Sequence, residues 1–180
     1  MSLELILGCM FSGKSTEIIR MVDRLKTIDA KYLLVKPPAD NRYSMTMIQT
    51  HSYQQRSCEV RRQLLPLFQN QKYIEAEHII IEEAQFFDDL EPFVLKAVDE
   101  DRKNVIVVGL DGDSDRCNFG QIHKLLPICD NIRKLKAYCL SCKDGTEAIF
   151  SKRITNEKGQ TCIGSSDKYV AVCRKCFLNE

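Results

Sequence analysis

The chain has 180 residues, 44% hydrophobic and 28% charged, a balance that suits one packed core with at most a small appendage. Its net charge of +1 gives no global positive field to hold nucleic acid or an anionic membrane. There is no run of about 18 apolar residues to span a bilayer, and the start, MSLELILGCMFSGK, shows no secretory leader. A cytoplasmic protein that binds neither nucleic acid nor membrane is expected.

Apolar runs rich in β-branched residues mark the predicted strands: LELIL (3–7), KYLLVK (31–36), HIII (78–81) and NVIVVGL (104–110). They are continuous rather than alternating, as in strands covered on both faces of a parallel sheet. Between them, KSTEIIRMVDRLKTI (14–28) places Ile18, Ile19, Val22 and Leu25 on one helical face. LEPFVLKAVDEDRK (90–103) does the same with Phe93, Val94, Ala97 and Val98. Strands alternating with helices predict an α/β layer with right-handed crossovers. Residues 37–63 show little periodicity and read as loop or short strands, with EVRRQ (59–63) as a short charged helix face. From Lys136 the pattern turns short and turn-rich. This sets an expected boundary between an α/β nucleotide-binding domain, 1–136, and a small domain, 137–180.

Gly8-Cys9-Met10-Phe11-Ser12-Gly13-Lys14-Ser15 follows the first strand and opens the first helix. Gly-x4-Gly-Lys-Ser in that context is a phosphate-binding loop. Its backbone N–H groups and the helix N-terminus face the phosphates, Lys14 reaches the β- and γ-phosphates, and the Ser15 hydroxyl binds Mg²⁺. Such a loop implies a nucleoside triphosphate, but ATPases, GTPases and small-molecule kinases share it.

The run 78–81 ends in EEAQFF (82–87), which places carboxylates at a strand tip near the loop, where a second Mg²⁺ contact is expected. Strand alternation predicts that Glu82 and Glu83 point apart, one toward Mg²⁺ and one toward an acceptor. By the same logic one of Phe86 and Phe87 faces the pocket. Of nine cysteines, Cys139-x-x-Cys142 and Cys173-x-x-Cys176 form two knuckles that can share one tetrahedral Zn²⁺. A redox-active CxxC is the rival reading, but one redox motif needs no second copy. Four protein ligands leave no open position, so a structural zinc is expected, pinning both ends of the excursion 143–172, which can act as a flap. The other five, Cys9, Cys58, Cys117, Cys129 and Cys162, read as buried or idle thiols.

These pieces, together with DNRYS followed by THS, VIVVGLDGD, NFG, LLP, KLKAYCLSC, SKR and IGSSDKYVAVCRKC, resemble the type II thymidine kinase family over nearly the whole chain. The resemblance implies a RecA-like P-loop sheet flanked by helices, with a small C-terminal zinc-ribbon or lasso domain. It implies transfer of phosphate from ATP to the 5′-hydroxyl of thymidine, with deoxyuridine as a second acceptor. Glu83 matches the family's catalytic carboxylate and Lys14 its phosphate-loop lysine; Glu82 matches an aspartate near Mg²⁺. The triphosphate would be held by Gly8 to Ser15 together with Asp40, Asn41, Arg42, Ala84 and Gln85. The acceptor would be clamped by Met10, Phe86, Leu110 and Phe119, by Ser114 and Ser151, and by Gln160, Thr161, Cys162, Ile163, Gly164 and Tyr169 of the flap. The resemblance further implies a homotetramer inhibited by thymidine triphosphate. Glu82 departs from the family's aspartate, Ala84 from a glycine, Ser114 from an aromatic and Ser165 from a second glycine. Two readings from the residues alone stay open: a zinc-ribbon module that binds nucleic acid and uses ATP as a switch, and a plain ATPase.

Overall fold

A computed structural model describes residues 1–38, 47–49 and 54–178. Asp40, Asn41 and Arg42, as well as His51 in the THS stretch, lie outside the described residues. The first strand, β1 (Ser2–Gly8), feeds helix α1 (Lys14–Lys26), and β2 (Tyr32–Lys36) follows. Three short strands come next, β3 (Met47–Gln49), β4 (Gln55–Ser57) and β5 (Glu59–Val60). After helix α2 (Gln71–Glu75) come β6 (His78–Ile81), α3 (Leu90–Leu95), which continues to Glu100 as a π turn, and β7 (Asn104–Gly109). The C-terminal part holds β8 (Asn131–Leu135), β9 (Ala137–Tyr138), β10 (Glu147–Ala148), β11 (Phe150–Arg153), β12 (Tyr169–Val172) and α4 (Arg174–Leu178).

Six strands form one sheet in the order β5-β2-β6-β7-β1-β8, with every pairing parallel. Alternation along the strands sorts the core. Leu3, Leu5, Leu7, Val35, Ile79, Ile81 and Val107 face one side, where Leu64, Tyr73, Phe87, Leu90, Phe93 and Val94 cover them. Ile6, Leu34, Ile80, Ile106 and Val108 face the other, against Ile18 and Val22 of α1. Each such side chain contributes about 1.5–3 kcal/mol on burial, so both faces are held shut. The continuous apolar runs in the sequence are the signature of this two-sided cover.

Two segments differ from the sequence expectation. Residues 59–60 are not helical; they form edge strand β5 beside β2, and Arg61 N donates to Lys36 O at 3.0 Å to extend the pairing. A free sheet edge offered the backbone partners that a helix would have had to supply internally. Strand β8 carries no apolar run because it lies at the opposite edge. Its Arg133 instead reaches Glu4 of β1 at 2.6 Å and Glu17 of α1 at 2.7 Å.

The C-terminal strands form two small antiparallel ladders, β9 with β10 and β11 with β12. They pack on the phosphate loop through a separate apolar cluster that joins Cys9 to Cys139, Ala148, Ala171, Val172 and Cys173.

Candidate active site

The glycine-rich loop lies at the C-terminal ends of the parallel strands, where α/β sheets gather ligands. The chain curls there through left-handed residues, Phe11 at φ 65° and Gly13 at φ 86°. Only glycine adopts the latter without strain, and it lets α1 start at Lys14, with Lys14, Ser15 and Thr16 of its first turn lining the cleft. Lys14 Nζ donates to the carbonyls of Gly8 (3.0 Å) and Cys9 (2.9 Å), so its ammonium is folded back over the loop. Met10 N donates to Ser151 Oγ at 2.9 Å, which ties the loop to β11. The Cys9 thiol points the other way, toward Ala148 O at 3.5 Å, and burial pushes its pKa up.

Strand β6 stops at Ile81, and Glu82 and Glu83 diverge because Glu83 takes a left-handed conformation (φ 49°, ψ 43°) rather than by strand alternation. That geometry costs a non-glycine residue about 1–2 kcal/mol. Strain of this kind collects at functional sites. Glu82 is buried, and its Oε1 accepts from Ser15 Oγ at 2.7 Å. The pair presents hard oxygens, a hydroxyl and a carboxylate, the donor chemistry Mg²⁺ takes.

The Glu83 carboxylate lines the cleft, and its Oε2 accepts from Gln85 Nε2 at 2.6 Å. Gln85 is itself buried, and its Oε1 accepts from Leu110 N at 3.1 Å. The fit around it is tight: a Cβ on Gly120, already at φ +61°, would lie 2.1 Å from Gln85 O. Phe86 lines the cleft edge-on to Phe119, with centroids 5.3 Å apart, while Phe87 is fully buried in the core.

One cleft of about 1130 Å³, open to solvent, holds these groups. Residues 10–16 line it together with Phe86, Leu110, Phe119, Tyr169, Ser114 and Gln160 to Ser165, and Ser151 lines it where it meets Met10. Glu83 lines the same cleft. Of the residues singled out in the sequence, Gly8, Cys9, Glu82 and Ala84 do not line this cleft; Ala84 belongs to the core.

The segment from Ile154 to Lys168 leaves the β11–β12 ladder and returns to it, closed by Ile154 N to Lys168 O at 2.9 Å. Inside it, Arg153 Nη1 donates to Glu157 O at 2.8 Å, and Tyr169 Oη donates to Cys162 O at 2.9 Å. Asp113 is a cleft residue that sequence patterns did not single out. It is buried, and its Oδ1 accepts from Asp115 N (2.9 Å) and Cys117 N (2.8 Å). Burial pushes the Asp113 carboxyl up, but the Gln160 amide and those backbone N–H groups outweigh burial and hold it below its ordinary value. The DGD run containing it was visible, yet only the fold brings it opposite the flap.

Below the flap, the Sγ atoms of Cys139, Cys142, Cys173 and Cys176 all lie within 4.8 Å of one another, with Cys142 at 3.8 Å from Cys173 and 3.4 Å from Cys176. Four thiolates about 2.3 Å from one tetrahedral Zn²⁺ would stand roughly 3.8 Å apart, so the donor set fits that ion. Burial pushes the Cys139 thiol up, yet N–H groups of Cys173, Cys142 and Ser141 outweigh it and lower the pKa, while hydrogen bonds with the neighbouring thiols push Cys142 up.

A family model described as thymidine kinase matches residues 1–177. A rice thymidine kinase is 38% identical over 98% of this chain, which spans 66% of the rice protein. The fowlpox virus thymidine kinase is 36% identical over 99% of this chain and 97% of its own length. The human cytosolic thymidine kinase is 38% identical over 99% of this chain and 74% of its own length.

Proposed function

We infer the function from the premise that this chain belongs to the thymidine kinase family: it is a kinase that phosphorylates thymidine, with ATP as the donor, in deoxynucleotide salvage. The observation that carries the residue-level reading is that Glu83 lines one cleft together with the phosphate loop, the apolar residues Phe86, Leu110 and Phe119, and the flap.

Phosphoryl transfer to an alcohol asks the protein for alignment and charge neutralisation rather than covalent chemistry. Lys14 would exchange its bonds to Gly8 and Cys9 carbonyls for the phosphates, while the N–H groups at the start of α1 face the same charge. Ser15 and Glu82 would hold Mg²⁺, which when bound supplies neutralisation of phosphate charge. Glu83 takes the proton of the attacking 5′-hydroxyl, and Gln85 fixes the carboxylate for that task. Phe86, Phe119, Leu110 and Met10 supply an apolar seat for the pyrimidine, and the flap excludes water that would otherwise compete as nucleophile. Zn²⁺ at the four cysteines would anchor the base of the 137–180 unit.

On the strength of the family resemblance, the proposal extends to a cytoplasmic homotetramer inhibited by thymidine triphosphate. Among the described residues, no helix is long and apolar enough to cross a membrane. The testing experiment is ADP release from Mg-ATP across a nucleoside panel. Stimulation by thymidine, weaker stimulation by deoxyuridine and none by purine nucleosides is expected. Release indifferent to every nucleoside would overturn the reading in favour of a plain ATPase.

A further inference from the structure

The flap has a rigid base: the β11–β12 ladder and the four-cysteine cluster hold residues 150–153 and 169–176. Its far end must still be held against the opposite rim of the cleft. Gln160 does this. Its Nε2 donates to Asp113 Oδ2 at 2.7 Å and to Asn118 O at 3.0 Å, spanning the gap from the flap to the loop that follows β7.

Both receiving atoms are acceptors, and one is a buried carboxylate oxygen whose partner oxygen is already committed to two backbone N–H groups. Asp113 therefore cannot swing out to release Gln160 without leaving those N–H groups unpaired. The Gln160 backbone is drawn in as well, since its carbonyl accepts from Arg153 Nη2 at 3.3 Å. Gln160 is an exposed side chain at the cleft mouth, so water can compete for the contact and the latch can open.

We propose that Gln160, Asp113 and the Asn118 carbonyl form a latch that sets how firmly the flap closes over the nucleoside, making Gln160 and Asp113 positioning residues for the acceptor rather than for ATP. The latch requires an N–H donor at position 160. This rests on the cleft binding a nucleoside, and the test separates the two ideas.

The test compares Gln160→Glu, Gln160→Lys and Asp113→Asn. Gln160→Glu keeps size and shape but faces two acceptors with a third. The expected result is a rise of about 5–20-fold in KM for thymidine, with KM for ATP changed by less than about 2-fold, the size of one charge-assisted hydrogen bond at a wet site. Lysine is donor-only and long enough to reach, so Gln160→Lys recovers most of that loss. The Asp113→Asn, Gln160→Glu double variant loses less than the sum of the two single variants, because both act on the shared Gln160–Asp113 bond.

Hydrogen exchange of residues 155–164, measured without substrates, rises in Gln160→Glu and returns toward wild type in Gln160→Lys. This readout survives even if the wild-type protein fails the nucleoside panel. The proposal is overturned if Gln160→Lys behaves like Gln160→Glu, if the KM for ATP rises as much as that for thymidine, or if flap exchange is the same in all variants.

Discussion

Replacing Gln85 with methionine keeps nearly the same volume but removes both polar ends of a buried side chain. The structure assigns each end a bond: Nε2 to the Glu83 carboxylate at 2.6 Å and Oε1 from Leu110 N at 3.1 Å. A hydrogen bond to a charged group contributes about 1.5–3 kcal/mol and a neutral one about 0.5–1.5, so the variant should lose roughly 2–4 kcal/mol. At about 2–4 °C per kcal/mol for a chain this size, the thermal midpoint falls by about 5–15 °C. Glu83 also loses the partner that sets its direction, and a misplacement on the order of 1 Å can cost up to about 100-fold. The expected kcat is therefore about 10–100-fold lower, with KM for ATP nearly unchanged. Differential scanning calorimetry and steady-state kinetics on the same preparation measure both. A variant with an unshifted midpoint and full kcat would refute the role given to Gln85.

Glu17 accepts from Arg20 at 2.6 and 2.8 Å, which outweighs burial and, with Arg133, holds its carboxyl at about 2. A depressed folded-state pKa gives stability that is complete above the ordinary carboxylate value and is lost as pH falls from about 4.5 toward 2. Denaturant titrations of wild type and Glu17→Gln should differ by about 2 kcal/mol at pH 6 and converge near pH 2; a constant gap across that window would contradict the ion-pair account. Elemental analysis of purified protein should find about one zinc per chain, lost in Cys142→Ser with a lower thermal midpoint. Retention of the metal in that variant would remove Cys142 as a ligand.

The central sheet was legible because its strands are covered on both faces: LELIL, HIII and NVIVVGL carry the pattern without reference to neighbours. Edge strands β5 and β8 were not, since one open side removes the need for an apolar run, and Arg133 does there by ion pairing what leucine does elsewhere. The phosphate loop and the paired cysteines were readable because each is a local spacing with one geometric meaning. The divergence of Glu82 and Glu83 was anticipated for a reason that did not hold; its source is the left-handed turn at Glu83, which the residue type gives no hint of. The Gln160–Asp113 contact joins two polar residues far apart in sequence, and hydropathy periodicity carries no signal for such a pair.

The proposed phosphoryl transfer would run through one carboxylate, that of Glu83, which lines the cleft. Single-turnover formation of thymidine 5′-monophosphate by Glu83→Gln, with ATP affinity measured alongside, tests this most directly. The predicted result is a rate lowered by about 10²–10⁴-fold with ATP bound as tightly as by wild type. Product formed at the wild-type rate would contradict it.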